Sequence, residues 1–385
     1  MTEACPLCGG RDWLALPDIR PDRSVRTDGG VIAAPLAKQH CARCGLAVRR
    51  GGLDVATLYG DDYQLYANRP NADSFDPARY RNLANALAAA WGEGAPRRVL
   101  EAGCGDGGLA RAMQLRWPDA DVIGLEPSAT AVARAQALGY PVVQGMIGHN
   151  APPHVEQGGF DLIYSIHVVE HTPDPSVFLR DLAGLLAPRG RMVITCPDGA
   201  VAHAEIIHPD HLFSMTRTHL AAFARRAGCR VLAQGDCPSG ASAEFSQLLV
   251  CGPGGAPAWR TLAPDPGAAA LFDARAAYLR LWRELEAELM APLANDEPVY
   301  CFGAGGWAAN VAANCPNLWA RVVGCAIDGG AAERVHGRPV VDYAALSGRP
   351  RRFLAAVNPA IQDRIAARLA ADGHAVLPWP RALAA

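Results

Sequence analysis

Between Val99 and about Val250, short apolar runs alternate with segments whose apolar residues recur at helical spacing. The runs predict strands over 98–102, 121–126, 160–166 and 191–196, with a late antiparallel pair at 229–234 and 245–251. The intervening segments predict helices over 108–117, 128–138, 175–187 and 216–227. Strands alternating with helices imply a doubly wound α/β sheet. Tyr80–Trp91, apolar at 83, 87, 90 and 91, reads as a helix leading into it. A Pro/Gly-rich stretch at 252–267 breaks the pattern and marks a boundary. Beyond it a helix over 268–291 keeps Leu271, Tyr278, Leu281, Trp282, Leu285 and Leu289 on one side. A second strand–glycine turn–helix follows: Val299–Phe302, Gly303-Ala-Gly305-Gly306, a helix from Trp307, then an apolar run from Arg321 to Ile327 ending in Asp328. The chain thus divides into an N-terminal segment (1–55), a core (56–255) and a smaller Rossmann-like C-terminal domain (256–385).

The most informative stretch is Val99-Leu-Glu-Ala-Gly-Cys-Gly-Asp-Gly-Gly-Leu109. A strand running through a glycine turn into a helix start turns backbone N–H groups towards a ligand. Glu126 ends the next strand, where a carboxylate can accept from both hydroxyls of a ribose. The dinucleotide spacing is met only through Gly108, and Glu101, two residues before the first glycine, would repel a pyrophosphate. The sulfonium and amino group of S-adenosylmethionine would be attracted by it. Glu101, Gly103, Gly105 and Gly107 resemble motif I of the class I methyltransferases, and the resemblance implies a Rossmann-like core with that cofactor. Met146, within Val142–Ile147, and Ile166, at the end of the 160–166 strand, are the further expected cofactor contacts.

The N-terminal segment carries Cys5-Pro-Leu-Cys8-Gly and Cys41-Ala-Arg-Cys44-Gly. Two thiolates at this spacing grip one tetrahedral Zn²⁺, and two such knuckles leave no open position, so Cys5, Cys8, Cys41 and Cys44 predict a structural zinc-ribbon-like site. The gap between the knuckles leaves room for a hairpin. The other eight of the 12 cysteines are scattered, mostly in apolar runs, as expected of buried free thiols rather than a disulfide framework. A net charge of −2, with Arg43, Arg49 and Arg50 making a thin basic patch without aromatic interleaving, argues against a nucleic-acid partner. There is no apolar run of membrane-spanning length and no signal-like start, so a cytoplasmic location is expected.

Four of the 11 histidines fall in two short stretches after predicted strands: His167 and His171, then His208 and His211 beside Asp210. Histidine accepts protons near neutral pH, and a carboxylate partner raises its basicity. His211 with Asp210 is the expected base, and His171, in a Glu-His-x-Pro-Asp turn, an expected packing and cofactor-pocket residue. His167, His208, Asp210 and His211 also have the residue types of a metal set. Tyr63 and Tyr66 lie in a Tyr/Asp/Asn-rich connection that suits either a substrate lid or a surface loop.

With the knuckles, the Glu-Ala-Gly-Cys-Gly-Asp-Gly-Gly turn, His171-Thr-Pro-Asp174 and the glycines at 303–306 in view, the chain resembles the sugar C-methyltransferases that act on nucleotide-linked deoxyketosugars. The resemblance implies a zinc segment, a methyltransferase core and a C-terminal domain whose Gly305 and Gly306 approach the substrate's nucleotide. It implies His211 as base and Asp210 as its acid, in a natural-product pathway. Two positions depart from the family pattern, His208 standing for a tyrosine and His167 for an asparagine, and either, when protonated, is an expected donor to the enolate oxygen. Methylation of O, N or S on another small intermediate, an NAD-linked enzyme using the second glycine turn, and a zinc-ribbon binding protein stay open as alternatives.

Overall fold

The computed structural model describes residues 4–51, 77–92, 94–237, 245–254, 261–329, 334–346, 348–380 and 383; Tyr63 and Tyr66 lie outside them. The chain begins with five short strands: β1 (Trp13–Ala15), β2 (Ser24–Val25), β3 (Val31–Ile32), β4 (Lys38–Cys41) and β5 (Ala47–Arg49). Each Cys-x-x-Cys-Gly knuckle closes the same way, Gly9 N–H bonding to Cys5 O and Gly45 N–H to Cys41 O. Both glycines sit at positive φ, +69° and +80°, which a side chain would strain. The four cysteines are 0–3% exposed and converge on one point. The gap between knuckles does hold a hairpin, β2 with β3.

The core sheet contains β6 (Arg98–Ala102), β7 (Asp121–Glu126), β8 (Val142–Gln144), β9 (Phe160–Ile166) and β10 (Leu186–Pro197). β11 (Phe213–Ser214) leaves it, and β12 (Arg230–Asp236) and β13 (Ser246–Gly252) return. The strand order is β12-β13-β10-β9-β6-β7-β8, parallel except that β13 runs antiparallel to both β10 and β12. Val99, Leu100, Leu162, Ile163, Val193 and Ile194 are fully buried, as expected of parallel strands covered on both faces. The helices start where the sequence supplies caps: Ser128 Oγ accepts from Ala131 N–H, and Asp174 Oδ1 from Ser176 and Val177 N–H. One boundary differs from expectation. The helix expected to run to 187 ends at Gly184, and β10 begins at Leu186, because Phe160 N–H bonds to Leu185 O and draws that apolar pair into the sheet.

The C-terminal sheet holds β14 (Val299–Phe302), β15 (Val322–Ile327), β16 (Arg334–Val335), β17 (Arg338–Asp342), β18 (Arg352–Ala355) and β19 (Ala375–Val376), in the order β16-β17-β15-β14-β18-β19. Helix Ala268–Met290 packs against it through Trp282, which stacks on Trp307. Among the described residues, no helix is long and apolar enough to cross a membrane.

The N-terminal sheet ties these parts together. Its order is β1-β4-β5-β11, so its fourth strand comes from the core segment that follows His211. Arg275, fully buried in helix Ala268–Met290, donates to Gly45 O at 2.7 Å, Gly199 O at 2.6 Å and Ser214 Oγ at 3.0 Å. One guanidinium therefore pins a knuckle, the loop after β10 and β11. Replacing it by methionine leaves buried carbonyls without a donor. Arg275→Met is expected to cost about 3 kcal/mol, read as a lowered unfolding midpoint by scanning calorimetry.

Candidate active site

The first half of the site is the carboxyl end of β6 and β7. Gly103 lies at φ +77°, and a Cβ there would meet Val168 Cγ2 at 2.5 Å; Gly107 at +75° would meet Val142 Cγ2 at the same distance. No other residue lets the turn pass so close to its neighbours. Glu126 is fixed from both sides: Gly105 N–H donates to Oε2 and Ser128 N–H to Oε1, each at 2.9 Å. A carboxylate has about four acceptor positions, so two remain for a pair of vicinal hydroxyls. Glu101 is 3% exposed and accepts from Tyr164 Oη–H at 3.1 Å. Burial pushes its carboxyl well above the usual carboxylate range, with the charges of Asp106 and Glu126 adding to it. A buried acid of this kind is completed by a cation. The donor set therefore fits S-adenosylmethionine: ribose at Glu126, cationic methionyl end at Glu101. Ile166 ends β9 at the same edge, and Met146 is exposed just past β8, its N–H held by Asn150 Oδ1.

The second half lies beyond β9 and β10. A 3₁₀ turn, Val169–His171, presents Glu170 and His171; a second, Ala204–Ile207, presents Glu205 and leads to His208, Asp210 and His211. The His211 ring meets those of His171 and His208 edge-on, at centroid distances of 4.8 and 5.5 Å. Glu170, Glu205 and Asp210 are all 5% exposed or less. Glu205 Oε2 stands 3.6 Å from His211 Nδ1, and Ser214 Oγ–H donates to the other oxygen. Burial alone would lower the proton affinity of His211, but Glu205, Glu170 and Asp210 outweigh it and raise its pKa above the ordinary histidine value. The same burial, with the His211 charge next, lowers His171 and takes His208 down to about 4.

The carboxylate that faces His211 is Glu205, not the adjacent Asp210 expected from the sequence. Both Asp210 oxygens accept from Thr27 N–H, at 3.1 Å each, and the Thr27 hydroxyl donates as well. Asp210 also gives its backbone carbonyl to His171 Nδ1–H at 2.8 Å. His208 Nδ1 lies 3.1 Å from Val25 O, and since a carbonyl only accepts, the proton is on Nδ1. Neutral His208 thus offers a bare Nε2 and cannot donate to an oxyanion. His167, at φ +55°, places Nδ1 3.3 Å from Glu170 Oε1. The set His167, His208, Asp210 and His211 does not converge as one cluster; among the described residues the group that does is Glu170, His171 and His211, within 4.8 Å.

Gly305 and Gly306 open helix Gly306–Asn314. A Cβ on Gly306 would stand 3.8 Å from the Thr27 carbonyl, while nothing lies within 4 Å of one on Gly305. The β2–β3 hairpin packs on this helix through Val25, Ala309 and Ala313. It therefore spans from the histidine cluster to the second glycine turn. Thr27, Glu205 and Glu170 are the residues that sequence reasoning left unassigned. Glu170 lay inside the first histidine stretch already singled out and Glu205 three residues before the second, but Thr27 carried no local signal.

At the knuckles, Cys5 and Cys44 sulfurs are 3.7 Å apart and Cys8 and Cys41 sulfurs 3.5 Å. Thiolates placed tetrahedrally at ~2.3 Å from Zn²⁺ would be about 3.8 Å apart, so the set has the spacing of a closed zinc site.

Residues 73–234 match the family model of a methyltransferase domain. The chain is 33% identical over 105 residues to the trans-aconitate 2-methyltransferase of Rhodopseudomonas palustris (strain BisB18), covering 27% of this chain and 40% of that protein. It is 32% identical over 105 residues to the ubiquinone biosynthesis O-methyltransferase of Xanthomonas axonopodis pv. citri (strain 306), covering 27% and 44%. The chain thus spans less than half the length of these curated relatives. Among solved structures, the CcbJ methyltransferase from Streptomyces caelestis is similar at 16% identity and a TM-score of 0.36, over 46% of this chain and 96% of that one. Residues 73–234 thus match a methyltransferase domain, and the parallel sheet order already described is that of a Rossmann-like core.

Proposed function

We propose that the protein is an S-adenosylmethionine-dependent C-methyltransferase acting on the carbon next to a ketone, on a nucleotide-linked deoxysugar of natural-product biosynthesis. The observation that carries this reading is His211: a buried imidazole ringed by Glu205, Glu170 and Asp210, at the same sheet edge as the donor-site acids. When bound, S-adenosylmethionine supplies an electrophilic methyl group. Glu126 holds the ribose hydroxyls, and Glu101 faces the cationic end of the donor. His211 takes the proton from the carbon next to the ketone. The electron pair so left on the substrate carbon is the nucleophile that the methyl group of a bound donor would meet. Glu205 stabilises the imidazolium that results. Gly305 and Gly306 leave backbone open to a phosphate of the substrate's nucleotide. Cys5, Cys8, Cys41 and Cys44 hold one structural Zn²⁺, whose contribution is to fix the segment that carries Thr27.

A second reading, methylation of an acceptor oxygen, is supported by the likeness to the ubiquinone biosynthesis O-methyltransferase. The two separate in deuterium oxide. A base that works on carbon exchanges the hydrogen next to the ketone of a nucleotide-linked ketosugar when the methyl donor is replaced by S-adenosylhomocysteine. Mass spectrometry should show that exchange in the native protein and its loss in His211→Asn, with S-adenosylhomocysteine affinity unchanged. Methylation without any such exchange favours the oxygen acceptor.

The donor site predicts a pH dependence of its own. Glu101 must be ionised to attract a cation, and burial holds its pKa up, so donor affinity should fall as pH drops through that raised value and be full above it. Calorimetric titration with S-adenosylmethionine at stepped pH should show this limb, and Glu101→Gln should bind more weakly and without it. Metal analysis of the purified chain should find one zinc, and Cys41→Ser should lower both zinc content and the unfolding midpoint.

A further inference from the structure

Lys38 opens β4, three residues before Cys41, and is 2% exposed. Its Nζ has no hydrogen-bond partner among the described residues. An unpaired ammonium out of water is costly, and a methionine would fill the same space without that cost. Its neighbours of opposite charge are Glu205 and Asp210. Both are already engaged elsewhere, Glu205 by Ser214 and the His211 ring, Asp210 by Thr27. The lysine therefore acts on these carboxylates through its field, not as the partner of either.

His211 receives charge from every element packed around it. The turn Val169–His171 contributes Glu170 and His171, and the turn after β10 contributes Glu205, with His203 at its start. The following loop contributes His208 and Asp210, and β4 contributes Lys38. Lys38 itself faces Arg275 and Arg49 in addition to the two carboxylates. His171 and His208 are lowered by burial, and the three carboxylates face His211, Lys38 and the Arg275 guanidinium, with His167 beside Glu170. Without the lysine, more of the compensating charge would fall on the His211 imidazole, which would hold its proton more tightly.

We propose that Lys38 is a positioning residue for proton transfer: its buried ammonium balances Glu205 and Asp210 and keeps the His211 imidazole from being locked as its cation. The inference rests on the reading of His211 as the base, and it gives the cysteine-held segment a part in the chemistry. Burial lowers Lys38 to about 8, with Glu205 and Asp210 opposing, so it carries its charge at neutral pH.

The test uses the full chain, ¹⁵N-labelled at histidine, with no substrate. His211 is assigned through His211→Asn and titrated by NMR in the native chain and in Lys38→Met, Lys38→Gln and Lys38→Arg. Removing a nearby positive charge favours the imidazolium, so the methionine and glutamine variants should raise the His211 midpoint by about one pH unit, with arginine restoring it. Their unfolding midpoints should equal or exceed that of the native chain, because a buried unpaired charge has been removed. A His211 midpoint unmoved by both neutral variants overturns the proposal. So does a chain that folds only with a cation at position 38, which would make the charge structural. Failure of the base reading is a separate result, His211→Asn retaining solvent exchange next to the ketone, and leaves the titration as it is.

Discussion

Three carboxylates buried at one edge of a sheet are the constraint that the rest of this molecule answers. Glu170, Glu205 and Asp210 cannot remain ionised out of water unless fixed donors or cations surround them. The core alone supplies the histidines and Ser214. From outside it come Thr27, which donates to Asp210, and the field of Lys38, both from the N-terminal segment, while Arg275 of helix Ala268–Met290 holds Ser214 in place. The three parts of the chain are thereby bound to one another through the site. The N-terminal sheet is not a separate module set before an enzyme, since its last strand is β11, two residues beyond His211.

The donor and acceptor ends of this site are built on different principles. At the donor end stand glycine backbone and two strand acids, Glu126 held by backbone N–H groups of the adjoining turns and Glu101 by Tyr164 on the neighbouring β9. Gly105 N–H and Ser128 N–H orient Glu126 with no help from distant chain. At the acceptor end, three groups are oriented by residues far away in sequence. Val25 fixes the His208 tautomer, and Thr27 holds Asp210, whose carbonyl in turn fixes His171.

That difference explains what was legible in the sequence. The alternating pattern, the glycine turn and the paired knuckles are local signals, and the strands at 98–102, 121–126 and 160–166 form as the periodicity predicts. Strands of two residues such as β2, β3 and β11 carry no periodicity, so the spacing left room for a hairpin but neither its strands nor the sheet joining the knuckles to the core could be read. The assignment of Asp210 as the partner of His211 followed adjacency in sequence. In the fold Thr27 claims that carboxylate, and Glu205, six residues before His211, faces the ring instead. Lys38 gave no signal because a lone lysine in a polar strand reads as surface until the packing closes over it.

The central claim is that the turn at 103–108, with its two acids, holds a methyl donor and that the turn at 303–306 does not hold a nicotinamide cofactor. Calorimetric titration of the full chain with S-adenosylhomocysteine and with NAD, repeated on Glu126→Ala, tests it most directly. One equivalent of S-adenosylhomocysteine should bind, at least tenfold more weakly in the variant, with no heat from NAD. Binding of NAD, or S-adenosylhomocysteine affinity indifferent to Glu126, would contradict the account.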